Sequence, residues 1–386
     1  MKNKLRIILN GRMVRYPMGG MSLYFLSFLA GLVRLGHEVF YVEKLNWEYG
    51  CHDLEKDSWT NDPGYGIKVL KELFQKYGIN SDNWCFVDVH GNYHGHSKAE
   101  IESVFKSADI FFELEWREWE EESQLPSKRI YVDGEPGWSQ INFKRMREMA
   151  LEIPSFDHYI TTGLNIRTAA SLAPDDGIDW KPFFPPVLQG VFEGIPINSN
   201  PDAAFTTVMN WRANKVLEYE GQVYGQKAEA FYKFIDLPSR TDAKLEMAVS
   251  GKDIPSKKLK NQGWEIRDAN HVSRSVNSYL NYLANSAGEF SVAKQIHSQL
   301  WDAWTGDRMA YYLQAGKPVI HQDTGFSSHL PIGKGLLAVN DVREAADAFN
   351  MLKKDPHIHA MAAKEIAFEY FHAEKVLQKI LGICGY

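Results

Sequence analysis

The residues best suited to chemistry crowd into one stretch near the end of the chain. Residues 304–325 read WTGDRMAYYLQAGKPVIHQDTG. Gly306, Asp307 and Arg308 stand where a helix should open, Met309, Leu313 and Ala315 give it apolar surface, and Gly316 sits where a left-handed cap ends one. Pro318, Val319 and Ile320 then run as a short apolar strand. His321, Gln322, Asp323, Thr324 and Gly325 follow its carboxyl end, where open α/β sheets bind their ligands. A helix amino terminus offers unpaired amides and a positive dipole, so a diphosphate can dock there without a metal ion. When a bond to a diphosphate breaks, charge develops on the leaving group, and fixed cations aimed at it lower the barrier. Three residues qualify: Arg308 on the first helical turn, Lys294 in SVAK after an apolar strand, and Lys227 in GQK at a helix start. Trp211 follows Asn210 at the end of AFTTVMN and is a candidate for stacking on a base or sugar, against the commoner fate of a core tryptophan.

Positioning such residues takes parallel sheets, and the chain alternates strand and helix signals as parallel sheets require. Residues 6–10, 38–42, 85–89, 109–112, 129–132 and 158–160 read as strands, with helices over 22–35, 67–77, 98–106 and 143–151 between them. From 181 to 200 the pattern breaks into a Pro-, Gly- and Asn-rich linker. A second series follows, with strands over 204–210, 245–249, 264–267, 289–292, 318–321 and 336–339. The expected architecture is α/β, two Rossmann-like domains facing one another across a cleft: residues 1–195, residues 196–365, and a carboxyl-terminal helix, 366–386, crossing back to the first domain. Gly19 and Gly20 precede the first helix, where two adjacent glycines let backbone approach a ligand, and Arg12 and Arg15 lie close by in sequence.

The glycine loop, the order of elements, and above all GDRMAYYLQAGKPVI are similar to glycosyltransferases of the GT-B fold. Segments such as MGGMSLYFLSFLAGLVRLGHEVFYVE, FTTVMNW and GEFSVAK also resemble a group of bacterial glycosyltransferase-like chains. The resemblance implies a nucleoside diphosphate sugar, a UDP-sugar foremost, held by the second domain through Gly306, Asp307, Arg308, Gln322, Asp323, Thr324 and Gly325. It implies an acceptor held by the first domain and no further cofactor. The large retaining GT-B family carries two glutamates eight positions apart around this glycine; here those positions are Ala303 and Tyr311. The carboxylates nearby are instead Asp302, Asp307 and Asp323. An inverting transfer needs a base on the acceptor, and Asp133, closing RIYV and opening DGEPG, ranks first, ahead of Glu135 and Glu113. Catalysis is therefore expected from Asp133, Arg308 and Lys294. Two other readings stay open on the same residues: a nucleotide-sugar epimerase or hydrolase, and a non-catalytic binding protein.

His90, His94 and His96 fall in DVHGNYHGH, a spacing too loose for a zinc site, and no metal is expected. The acidic run 113–122 with Trp116 and Trp119 reads first as a solvated helix face and second as an acceptor-stacking surface. A net charge of −6 argues against a long nucleic acid as partner. Three dispersed cysteines, Cys51, Cys85 and Cys384, fit a reducing, cytoplasmic setting. The apolar segment 21–35 is too short to span a bilayer.

Overall fold

The computed structural model describes residues 4–114, 118–200, 202–213 and 216–386. Two parallel sheets account for most of the strands. In the first, the order runs Trp180–Pro182, His158–Thr161, Lys128–Asp133, Ile110–Glu113, Arg6–Asn10, Glu38–Lys44 and Trp84–Val87, with Tyr93–His94 antiparallel at the far edge. The second runs Glu265–Asp268, Leu245–Ser250, Phe205–Asn210, Gly288–Ser291, Val319–Gln322 and Leu336–Val339, all parallel. In each sheet the first strand of the domain lies at the centre and the order reverses beside it, which opens a crevice at the strands' carboxyl ends.

Buried strands explain their own composition. Ile7, Ile8 and Leu9 are fully buried, as are Phe111 and Phe112, because helices cover both faces of a parallel sheet. The expected break at residue 181 comes two residues early: Trp180–Pro182 still pairs with His158–Thr161 and forms an edge strand, where Pro182 removes no ladder bond a neighbour needs. Two hairpins, Cys51–Asp53 with Ser58–Thr60 and Leu217–Tyr219 with Gln222–Tyr224, carry no strong alternation and escape a sequence reading.

The first helix, Gly19–Arg34, is buried nearly all round, and its neighbours explain why. Against it pack the helix Val276–Asn285 of the second domain and the final helix Ala373–Ile383. Gly31 makes the second contact possible, since a Cβ there would meet Leu377 Cδ1 at 2.5 Å and Ala373 Cβ at 3.2 Å. The helix closes as expected at Gly36, at φ 93°, whose amide donates to Val33. Helix Pro356–Tyr370 packs on helix Asp307–Gln314, and the final helix on Gly19–Arg34, with Phe371 and His372 between them. There Val187 donates to the Phe371 carbonyl and Ala373 to that of Val187. Among the described residues no helix is long and apolar enough to cross a membrane.

Candidate functional site

The helix Asp307–Gln314 forms where the sequence places it. Gly306 caps its amino end in extended conformation with no side-chain cap, and the half-buried Asp307 carboxyl of the first turn draws on the Asp307 and Arg308 amides. Gly316, at φ 70°, ends it, with Gly316 N donating to Leu313 O and Lys317 N to Tyr312 O.

The three candidate cations come from separate segments and meet beside this helix. Arg308 is anchored by three bonds: Nε to Glu289 Oε1 at 2.6 Å, Nη1 to the Val208 carbonyl at 2.5 Å, and Nη2 to Ser291 Oγ at 2.5 Å. Lys294 reaches across the cleft, its Nζ 2.5 Å from Glu135 Oε2 of the first domain. Lys227 makes no hydrogen bond or ion pair among the described residues. Burial, then the charges of Arg308 and Lys294, push its pKa well below the usual lysine range, against the pull of Glu289 and Glu135. Partial burial opposes ionisation of Glu135, but Lys294, His297 and Lys227 outweigh it and hold the carboxyl below its normal value. Asp307, in the first turn, adds a third carboxyl, its pKa raised by burial and drawn down by Arg308 and Lys227, so the carboxylates match the cations in number while Lys227 alone of the three cations lacks an ion pair among the described residues.

Four of the polar atoms buried without partners lie in this part of the chain, and others lie elsewhere. Glu289 Oε2, His297 Nε2, Thr305 Oγ1 and Gln322 Oε1 are buried without hydrogen-bond partners, and all belong to segments flanking Arg308. Each such atom costs about 1–3 kcal/mol unless a ligand or water satisfies it. His297 was not singled out from sequence. Its Nδ1 lies 2.9 Å from Asp302 Oδ2, both side chains are inaccessible to solvent, and its ring stacks on Trp304 at 4.5 Å. Trp304 in turn donates to the Gly134 carbonyl of the first domain. Trp301 and Ala303 flank Asp302 with φ of 54° and 59°, a strained backbone for residues with side chains. The available signal was Glu289, a carboxylate on a central strand that is buried throughout.

Other candidates have different tasks. Trp211 is fully buried and packs edge-on against Phe231 and Tyr232 in the core. Gly19 donates to the Ser273 carbonyl at 2.8 Å, and a Cβ on it would meet Tyr279 Cβ at 2.4 Å, so its missing side chain serves the contact between domains. Gly20 likewise faces Tyr279, at 3.5 Å. Asp323 accepts from Gly325 N at 2.8 Å and Ser327 Oγ at 2.5 Å, which fixes the turn after the strand. Thr324 Oγ1 donates to the Trp304 carbonyl at 2.8 Å. Gly325, at φ 100°, leaves room for Asn165 and Trp301. Tyr311, where the retaining family has a glutamate, bonds Ser27 Oγ of the first helix at 2.7 Å and joins the two domains.

On the acceptor side, Asp133 is buried and accepts from Glu135 N, Ser139 Oγ, Gln140 Nε2 and Thr161 Oγ1 at 2.6–3.0 Å. Burial raises its pKa and these donors oppose the rise. Asp133 therefore builds the loop that presents Glu135, whose side chain is 53% exposed. Deeper in the first domain, Arg15 is held between Glu43 and Glu118 at 2.9 and 2.6 Å, and Glu113 accepts from Asn10. His94 pairs with Asp88 and His96 with the Asp82 carbonyl, so the histidine loop points in two directions. Trp119 lies in the core beside Phe105, and Trp116 lies outside the described residues.

No family model matches the chain, and no curated protein matches it. Solved structures do. An alpha-glucosyltransferase bound to UDP and a 13-mer DNA containing an HMU base aligns over 100% of both chains with a TM-score of 0.58 at 10% identity. HepE of Anabaena in complex with UDP-glucose aligns over 98% of this chain and 99% of its own, with a TM-score of 0.56 at 14% identity. The alpha-glucosyltransferase with UDP alone gives 0.54 at 10% identity over 99% and 100%. With two Rossmann-like domains, a cleft at the sheets' carboxyl ends and a returning final helix, the chain has the GT-B fold of these glycosyltransferases.

Proposed function

We propose that this protein transfers a glycosyl group from a UDP-sugar to an acceptor in the cleft, without a metal ion. One observation carries the reading: Lys227, Lys294 and Arg308 converge beside a helix amino terminus whose cap is a glycine, and Lys227 makes no ion pair among the described residues. The helix amides and Lys227 receive the diphosphate, and Arg308, pinned by Glu289, holds its own guanidinium in place as a fixed positive charge. Lys294 exchanges Glu135 for the leaving phosphate. Freed from that ion pair, Glu135 takes the acceptor proton, while Asp133 keeps its loop in place. His297, oriented by Asp302, and Gln322 offer unpaired atoms to the sugar hydroxyls. The neighbours' UDP and UDP-glucose support the choice of nucleotide. The DNA of one neighbour is not carried over, because this chain bears a net charge of −6. Three buried, unpaired cysteines support a reducing, cytoplasmic setting.

The test is calorimetric titration of UDP and UDP-sugars in excess EDTA, followed by transfer assays across acceptor classes. UDP at a hundred times its Kd should stabilise the fold by about 2.7 kcal/mol. No stabilisation by any nucleoside diphosphate would return the chain to the non-catalytic reading. Sugar release or isomerisation without acceptor would favour the hydrolase or epimerase.

A further inference from the structure

The second domain carries another cavity, at the opposite end of its sheet. It measures about 490 Å3 and is lined at the amino ends of the strands by Phe205, Lys244, Ala287 and Pro318, whereas the cation cluster sits towards their carboxyl ends. We propose that this cavity binds a small amphipathic anion, an alkyl or acyl chain ending in a carboxylate or phosphate, independently of the nucleotide-sugar cleft.

Size and lining set the ligand's body. Ligand pockets commonly hold about 300–1,000 Å3 and are mostly apolar with a few placed polar groups. Here Phe205, Pro318, Phe349 and Leu352 supply the apolar wall. Charge sets the head. The chain is acidic overall, yet Lys244, Lys317 and Lys364 line this cavity without an ion pair among the described residues. Of the two carboxylates there, Asp242 is already paired with Lys353 at 3.3 Å, which leaves Asp202. The local sign is thus the reverse of the chain's, and a cleft with low-dielectric walls concentrates that field on an anion.

Lys317 is the focus. It is only 4% exposed, and its Nζ donates to the Asn198 carbonyl, a neutral partner that does not offset a buried charge. Burial lowers its pKa to about 8, so an anion at the ammonium restores stabilisation that water no longer provides. Lys364 is placed beside it by Gly316: a Cβ at that position would stand 2.7 Å from Lys364 Cε, so glycine leaves the lysine stem room to lie across it. Free fatty acids, alkyl phosphates and membrane lipids share this chemistry.

The experiment titrates the full chain with dodecanoate and dodecyl phosphate below their micelle concentrations, with dodecanol as the neutral control. Saturable one-to-one binding is expected, at least tenfold tighter for the anions than for dodecanol, and unchanged by saturating UDP. The double variant Lys244→Glu/Lys364→Glu, at exposed positions, should lose at least tenfold in anion affinity. Ala360→Phe, which fills the cavity from helix Pro356–Tyr370 without touching a charge, should abolish it. UDP binding and the unliganded melting temperature verify that both variants fold. Sedimentation with phosphatidylglycerol-containing vesicles, if blocked by dodecyl phosphate, assigns the head to a membrane lipid; binding of the soluble anions alone assigns it to a free metabolite. Absence of anion binding, equal affinity for dodecanol, or displacement by UDP would each overturn the proposal. Loss of UDP binding in the wild-type protein, with anion binding intact, would instead count against the glycosyltransferase reading alone.

Discussion

Replacing Lys227 with methionine should weaken UDP binding without weakening the fold. Lys227 is half-buried; of the carboxylates around it, Glu289 is engaged by Arg308 and Glu135 by Lys294, and Asp307 acts on it without forming an ion pair. Its folded pKa lies below the lysine value, so the folded state binds fewer protons than the unfolded chain between the two values. The cost of this lysine is therefore present in full below the folded pKa and fades as pH rises towards about 10.4. Methionine removes that cost and keeps the stem's volume, so the melting temperature near neutral pH should hold or rise. Binding behaves oppositely. Truncating one partner of a buried, hydrogen-bonded charge pair costs about 2–4 kcal/mol, a loss of roughly 30- to 700-fold in affinity. Scanning fluorimetry of the unliganded protein from pH 6 to 10, with calorimetry of UDP binding, reads both signs. A melting temperature several degrees lower with UDP affinity retained would make Lys227 a structural residue and refute the reasoning.

Three further perturbations address other parts of the cleft. Glu135→Gln removes the carboxylate that occupies Lys294; UDP affinity should rise about two- to fivefold, in line with a partly exposed ion pair, while transfer falls by at least a hundredfold in steady-state assays. Asp133→Ala strands four donors in a buried site and should cost about 2–4 kcal/mol by urea denaturation, with activity lost in proportion to the unfolded fraction if the residue only supports the loop. His321 is buried neutral, with burial lowering its pKa to about 4. The unfolded chain takes up that proton first, so stability should fall by about 3 kcal/mol as pH drops from 6.5 to 4, and His321→Gln should flatten this slope in pH-resolved denaturation.

Much of the site was legible because its parts are local. The helix Asp307–Gln314 announces itself through Gly306, an apolar stripe and Gly316, features set by neighbours within one or two turns. The cations are visible as residues, though not their engagement: Arg308, expected to act in catalysis, is anchored by a carboxylate, a carbonyl and a hydroxyl, while Lys227, not among the residues expected to act there, is the one without an ion pair among the described residues. Trp211 and Gly19 show the same limit. A tryptophan at a strand end and a glycine at a helix start have identical sequence signatures whether they face a ligand or a core, and Phe231 and Tyr279, respectively 20 and 260 residues away, decide which.

By itself the sequence determined the two alternating series of strands and helices, the break between them and the helix that offers its amides, because periodicity and caps are short-range properties of the chain. Tertiary structure decided which charges meet. The encounter of Lys294 with Glu135, of His297 with Asp302 beneath Trp304, and of Tyr311 with Ser27 depends on how two domains pack. Burial, which shifts Lys227 and fixes Asp133, exists only once that packing has excluded water.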